Sequence, residues 1–122
     1  MPLTITNVEH PNQKITEFPL GPWKARIIDV AFDNSYPTAG EVMTAVQLGW
    51  NVIAGVVVVR NAQNRASANT LSLGVEAEVN AAQTQVELQL YETAGTVDTP
   101  HKEFNNTGDA SAYTCRLMVF GA

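Results

Sequence analysis

Hydrophobic and polar residues alternate along much of the chain, which is the pattern of half-buried β-strands. The alternation is clearest over residues 70–79 and 84–92, which a short NAAQ turn separates. Two alternating runs joined by so short a turn predict a β-hairpin. In that hairpin, Val86, Leu88 and Leu90 face the core.

Four other runs predict strands, at residues 3–8, 23–32, 51–60 and 112–122. The run 51–60 is apolar on both faces. It therefore predicts a strand that is central in a sandwich or whose second face another subunit covers. The last run places three apolar side chains on one face and three other side chains opposite them: Cys115, Leu117 and Val119 against Arg116, Met118 and Phe120.

No segment keeps a helical period, so the predicted fold class is all-β. We expect an antiparallel β-sandwich or flattened barrel, jelly-roll-like, with one short helical turn near residues 44–48. The spacing of the strands leaves jelly-roll and immunoglobulin-like connectivity both open. A chain of 122 residues forms one domain. We expect residues 1–22 to be an extended N-terminal arm or edge segment, and residues 23–122 to be a single β-sandwich domain.

The stretch FDNSYPTAGEVMTAVQLGW, residues 32–50, is too long for a hairpin turn. It is rich in residues that bend the backbone. Gly40 permits an unusual backbone angle, and Thr44 and Gln47 have the spacing of a capping box. Gly49 is placed for the left-handed residue that ends a helical turn.

Two interpretations of this stretch remain. The favoured one is a structural corner in which Val46 and Leu48 close one end of the sandwich. The other is a ligand-binding loop, because loops often carry function. The stretch contains only two acidic residues, Asp33 and Glu41, and no histidine or cysteine.

Charge narrows the classes of partner. The net charge is −5 and the pI is near 4.8, and the seven Lys and Arg residues are scattered. An acidic chain without a basic stripe argues against nucleic-acid binding.

The N-terminus lacks the pattern of a signal peptide, and the longest apolar run, 52–59, is too short to span a membrane. We expect a soluble protein that is made in a cytoplasm.

Side chains with catalytic potential are few. The single cysteine, Cys115, lies in an apolar run, which is typical of a buried small hydrophobe. Asp98, His101 and Glu103 are close enough in sequence to suggest a cation site, without the spacing of a calcium loop. Glu76, Glu78 and Glu87 share the polar face of the hairpin, where a solvated or interface face is the favoured interpretation over paired catalytic carboxylates. We therefore predict no catalytic residue, no cofactor, no metal and no enzymatic activity.

Two stretches resemble a known family. ARIIDVAFDNSYPTAGEVMTAVQLGW, residues 25–50, is similar to a segment of small virion proteins of tailed bacteriophages, in which a strand precedes S-Y-P-T-G-G and a turn that closes on Leu-Gly. Here Ala39-Gly40 stands where that pattern often has Gly-Gly. DASAYTCRLMVFGA, residues 109–122, also looks like the last strand of those proteins. The resemblance covers about half of the chain, and its motifs are structural.

The resemblance implies a capsid decoration (cement) protein. Such a protein would lie on the capsid exterior of the virion, bind the major capsid protein, bridge neighbouring capsomers and form a homo-oligomer, with a trimer favoured. The alternative is a virion-attached carbohydrate- or host-binding module that uses Trp or Tyr in its loops and the long segment 93–111. The expected subunit or capsid contacts are Leu3, Ile5, Val8, Trp23, Trp50, Val57 and Val59. No nucleic acid or membrane is expected as a partner.

Overall fold

The chain folds into two antiparallel β-sheets that pack face to face. The computed structural model describes residues 3–64, 73–93, 101–104 and 108–122. In these ranges, all regular structure is β-strand except for one 3₁₀ turn, Ala45–Leu48. The predicted fold class, an all-β sandwich, is confirmed.

Sheet A has five strands: β1 (Thr4–Asn7), β2 (Glu17–Leu20), β3 (Trp23–Ala31), β5 (Ile53–Asn64) and β9 (Tyr113–Gly121). β9 is central, with β3 and β5 on its two sides. β1 and β2 share the other edge of β3, since β1 pairs with its C-terminal half and β2 with its N-terminal half. The segment 1–22, predicted as an arm or edge segment, thus contributes two edge strands to its own chain.

Sheet B has four strands: β4 (Glu41–Thr44), β6 (Gly74–Val79), β7 (Gln85–Thr93) and β8 (His101–Glu103). β6 and β7 form the predicted hairpin, with Val79 opposite Val86. β4 and β8 pair with different parts of β7, at residues 85–88 and 91–93. The end of β5 reaches this sheet through a bridge between Ala62 and Leu73, which joins the two sheets.

The core lies between the sheets and follows the predicted alternation. Ile28 and Val30 of β3, Leu117 of β9, and Leu88 and Leu90 of β7 are all fully buried there. Because successive side chains of a strand point to opposite faces, the remaining residues of β3, β9 and β5 form the outer face of sheet A. That face is where this chain differs most from an ordinary solvated sheet.

The corner 32–50 is built as predicted in its backbone and differs in one side chain. Thr44 and Gln47 form both bonds of a capping box, and Gly49 ends the turn in the left-handed region with φ 72°. Leu48 is buried as expected. The prediction that Val46 helps to close the sandwich is wrong, since its side chain is 82% exposed. In a 3₁₀ turn residues three apart share a face, so the turn directs Ala45 and Leu48 inward and Val46 outward.

A single buried tyrosine anchors this corner to sheet B. The hydroxyl of Tyr36 accepts a hydrogen bond from the backbone N–H of Leu90 (2.9 Å) and donates one to Oε1 of Glu103 (2.9 Å). Its ring packs edge-to-face against Phe104, with centroids 5.6 Å apart. The hydroxyl therefore supplies the partner for β7 in the gap between β4 and β8. Burial raises the pKa of this phenol well above its usual range.

Candidate interaction surface on the outer face of sheet A

The outer face of sheet A carries apolar rows that cross three strands. The register places Ile27 of β3 beside Met118 of β9, and Met118 beside Val57 of β5. None of the three belongs to the core between the sheets. Val57 is 47% exposed. An apolar row on the side of the sheet away from the core is therefore open to a partner.

A second apolar row lies next to the first. Phe18 of β2 pairs with Ala25 of β3, and Ala25 pairs with Phe120 of β9. The Phe120 ring lies over Gly55 of β5, where any added Cβ would collide with it. The glycine within the valine-rich strand β5 thus makes room for an aromatic ring on the outer face.

The two rows continue into exposed apolar side chains at both ends of the face. Leu20 and Trp23, which pair at the β2–β3 hairpin, are 41% and 37% exposed. At the other side, Val59 is 55% exposed beside a β-bulge between Val58 and Arg60. Scattered exposed hydrophobic residues are ordinary on monomers, whereas contiguous ones mark interaction surfaces. This contiguity makes the outer face of sheet A the candidate interaction surface.

A groove extends the surface under the β1–β2 connection. It has a volume of about 380 Å³, and its apolar lining comprises Val8, Pro11, Ile15, Phe18 and Ile27. His10, which also lines the groove, is held by its own loop. Its Nδ1 accepts hydrogen bonds from the backbone N–H groups of Asn12 and Gln13, both at 3.2 Å. That bonding makes His10 a turn-forming residue and leaves the groove mainly apolar.

A charged row borders the apolar rows. Arg116 of β9 binds Asp29 of β3 through two hydrogen bonds, Nε to Oδ1 at 2.8 Å and Nη2 to Oδ2 at 3.0 Å. These bonds raise the pKa of Arg116 further above its usual range. Arg60 of β5 lies opposite Arg116 and approaches Asp29 Oδ1 only to 3.7 Å. Among the described residues, two guanidinium groups therefore lie around the Asp29 carboxylate.

The outer face of sheet B has the opposite character. Glu76, Glu78 and Glu87 are exposed there, and Glu78 lies directly opposite Glu87. Like charges in that arrangement destabilise a sheet and repel an acidic partner. The prediction that these glutamates form a polar outer face is confirmed. The outer face of sheet A is thus apolar with a basic row, whereas the outer face of sheet B is acidic.

A charged cluster closes one end of the sandwich and ties β2 to the core. Oε1 of Glu17 accepts hydrogen bonds from the indole Nε1 of Trp50 (3.0 Å) and from Nε of Arg26 (3.1 Å). The Arg26 guanidinium also stacks 5.0 Å from the Trp50 ring centre. The bond from Trp50, followed by the contacts with Arg26, lowers the pKa of Glu17 below its usual value. Glu17 and Arg26 remain partly exposed, whereas the Trp50 beneath them is only 3% exposed.

The candidate nucleophile and the suggested cation site have these positions in the structure. No group of three His, Cys, Asp or Glu side chains converges in the described ranges. Cys115 is fully buried, and burial raises the pKa of its thiol to about 12, so it is protonated at neutral pH and unfit as a nucleophile. Of the suggested cation site, Asp98 and the His101 side chain lie outside the described residues. Glu103 is engaged by Tyr36. Within the same ranges, no helix has the length and apolar character needed to cross a membrane.

The predicted contact residues separate into two groups. Trp23, Val57 and Val59 lie on the outer face of sheet A or its rim, and Val8 lines the groove. Leu3 and Trp50 are buried at 5% and 3% exposure, and Ile5 packs against the core. Leu3, Ile5 and Trp50 therefore stabilise the fold of the chain itself. Of the predicted contact residues, only Trp23, Val57, Val59 and Val8 belong to the candidate interaction surface.

Sequence reasoning missed five residues of this surface: Phe18, Leu20, Ile27, Met118 and Phe120. A signal for two of them was present, because the alternation of the last strand places Met118 and Phe120 on the side away from Cys115 and Leu117. Phe18 and Leu20 depend on the pairing of β2 with β3, and Ile27 on its pairing with Met118 of β9, which short apolar runs do not reveal.

Comparisons with protein-family models, with curated proteins and with solved structures gave no match. The description of this surface therefore rests on the chain's own residues.

Proposed function

We propose that the chain is a structural virion protein, a bacteriophage capsid decoration (cement) protein without enzymatic activity. In this proposal the outer face of sheet A binds the outer surface of the capsid, on the major capsid protein, and bridges neighbouring capsomers. The observation that carries the proposal is the contiguous apolar outer face, a surface that a solvated sheet of a monomer does not need. The resemblance of residues 25–50 and 109–122 to small virion proteins supplies the class of partner.

The physical mechanism is selective binding to the assembled state. A patch that spans two capsomers is complete only in the assembled shell, so the protein binds the shell in preference to its free subunits. Any such ligand stabilises the state to which it binds by mass action. Because Val57 and Val59 are 47% and 55% exposed, burying the remainder of each side chain contributes roughly half of the 1.5–3 kcal/mol that burial of a fully exposed valine gives.

We also propose a homotrimer on the virion exterior. The three subunits of a trimer present three apolar faces to the shell. Once one face is bound, the effective concentration of the other two at the shell is high, so the affinity of the whole trimer rises. Multivalent attachment then allows each single face to bind weakly.

The test uses particles of the virus that encodes the chain, prepared with its gene deleted. Purified wild-type protein and the variant Val57→Gln/Val59→Gln are incubated with these particles, and bound protein is measured after sedimentation. We expect the wild type to bind and the variant to bind at least about tenfold more weakly, because two apolar contacts are lost. Both valines are about half exposed, so the variant should unfold at nearly the wild-type urea concentration.

The matched control is Val42→Gln/Val46→Gln, which changes two exposed valines away from the outer face of sheet A. It should bind like the wild type. Failure of the wild-type protein to bind the particles, or equal binding by both double variants, would refute the proposed function.

The exposed ring of Trp23 favours one alternative, a virion-attached carbohydrate- or host-binding module. Aromatic rings that bind sugars are solvent-accessible, and of the two tryptophans only Trp23 has that exposure. Titration with sugars would change tryptophan fluorescence in the wild type, and the change would be absent in Trp23→Phe. The same titration leaves the fluorescence unchanged if the protein is a decoration subunit.

A further inference from the structure

The charged row beside the apolar rows is not balanced by the described residues. Arg116 already makes two short hydrogen bonds to Asp29, one to each carboxylate oxygen. Nη2 of Arg60 lies 3.7 Å from Oδ1 of Asp29, which is longer than a hydrogen bond. Moreover, Nε of Arg60 is buried and has no hydrogen-bond partner among the residues that the structure describes. A buried donor without an acceptor costs free energy. The Arg60 side chain is 24% exposed, so a ligand meets the part of the guanidinium group other than the buried Nε.

Backbone irregularity aims Arg60 at this position. The pairing of β5 with β9 shifts register on both sides of Arg60, between Val58 and Arg60 and again before Gln63. Bulges re-aim side chains and are frequent next to functional sites. Here the bulge brings Arg60 opposite Arg116, although like charges directly opposite each other destabilise a sheet.

The residues around Arg60 restrict which ligands can neutralise its charge. Its neighbours along β9 and β5 are Met118, Val57 and Val59, so a ligand at Arg60 also meets apolar side chains. A guanidinium group binds a carboxylate in a planar, two-bond geometry. The remaining sheet face of the molecule is acidic and would repel a carboxylate, whereas this row carries an excess positive charge among the described residues.

We propose that Arg60 is the receptor for a carboxylate on the protein partner, namely an Asp or Glu side chain that is flanked by aliphatic residues. The aliphatic residues pack on Val57, Val59 and Met118 while the carboxylate binds Arg60. This inference rests on the proposed function, because it names the chemistry that the docked surface presents. The carboxylate fixes the position of a contact that is otherwise apolar and non-directional.

The experiment titrates the protein with sodium hexanoate, a carboxylate with an aliphatic tail, and follows the side-chain ¹⁵Nε–¹Hε signal of Arg60 by NMR. The variant Arg60→Lys identifies that signal by its loss. Hexanoate should shift it in a saturable manner. The neutral analogue hexanamide should bind about tenfold more weakly, because it lacks the charge that strengthens the hydrogen bond. Acetate, without the tail, should also bind more weakly than hexanoate.

Two variants test whether hexanoate binds at Arg60, with its affinity measured from the backbone amide shifts of Val57 and Met118. Arg60→Gln should reduce hexanoate affinity to that of hexanamide. Lys24→Gln removes an equal charge from an exposed position near the start of β3 and should leave the affinity unchanged. Equal shifts with hexanoate and hexanamide, or no saturable shift of Arg60, would overturn the proposal. Shifts of Arg60 that depend on protein concentration alone would also overturn it, since they would place a second copy of this chain on the row.

The particle assay separates this inference from the proposed function. If particles bind the wild type and Arg60→Gln equally well, the carboxylate receptor is wrong while the decoration function stands. If particles bind neither protein, the decoration function is wrong, and the hexanoate titration still decides whether Arg60 binds a carboxylate.

Discussion

At the scale of residues, the burial of each side chain decides whether it packs in the core or is available to a partner. Trp50 is the clearest case. Its position after the corner allowed either core packing or a contact role. The structure buries it and gives its indole N–H to Glu17, while Arg26 covers its ring. No sequence pattern reveals such a cluster, because Glu17 and Trp50 are brought together only by the tertiary fold. Trp23, by contrast, remains exposed.

The Glu17 cluster makes a pH-dependent contribution to stability. Since the pKa of Glu17 is lowered in the folded state, its contribution is present above the unfolded value of 4.5 and is lost as the pH falls through the folded pKa. Glu17→Gln should therefore lower the free energy of unfolding at pH 7 by up to about 1 kcal/mol, a modest effect because the carboxylate is partly exposed. The difference from wild type should shrink between about pH 5 and pH 3.

Urea unfolding at several pH values, followed by tryptophan fluorescence, measures this difference. Glu9→Gln is the control, because it removes the same charge from an exposed position. A deficit of Glu17→Gln that is as large at pH 3 as at pH 7 would show that the carboxylate charge is not the cause.

At the scale of elements, the sequence predicted which face of a strand is buried better than it predicted which strands pair. The alternation in β6, β7 and β9 predicted which side chains face the core, because burial of one sheet face imposes a period of two. The capping box was also predictable, since it depends on residues three apart. The split edge of sheet A, the bulge at Arg60 and the gap between β4 and β8 were not predictable. They depend on pairing between distant segments.

Tyr36 shows how one side chain completes an element. Tyr36→Phe removes the acceptor for the Leu90 N–H and the donor to Glu103. A buried donor left without a partner costs about 1–3 kcal/mol, so we expect the free energy of unfolding to fall by that amount. Tyr91→Phe is the matched control. The Tyr91 hydroxyl donates a hydrogen bond to Oε1 of Gln89 (2.7 Å) and also contacts the exposed Glu76. These contacts lie on the outer face of sheet B, so their loss should cost about 0.5 kcal/mol or less.

Urea unfolding of both variants measures the two costs under the same conditions. If Tyr36→Phe is no less stable than Tyr91→Phe, the hydroxyl does not hold the corner to β7. The segment that contains Tyr36 would then be positioned by its ring contact with Phe104 and by its backbone bonds alone.

At the scale of the whole molecule, the sandwich has two unlike outer faces. Sheet B presents exposed glutamates, whereas sheet A presents apolar rows and the Arg60–Asp29–Arg116 row. The doubly apolar run at residues 51–60 left two interpretations open, a central strand or a second face covered by another subunit. The structure places β5 at the edge of sheet A, beside β9. The full extent of the surface required the register of β2, β3, β5 and β9. The identity of the partner remains a proposal from the resemblance and from the chemistry of the surface.

If the chain is the virion protein that we propose, the most direct test is a cryo-electron microscopy map of the particle that contains it. The account predicts density for the subunit on the capsid exterior, with the outer face of sheet A against the shell and Val57 and Phe120 at the contact. It also predicts that the glutamates of sheet B face solvent. A map in which the outer face of sheet A is open to solvent, or in which the subunit is absent from the capsid, would contradict it.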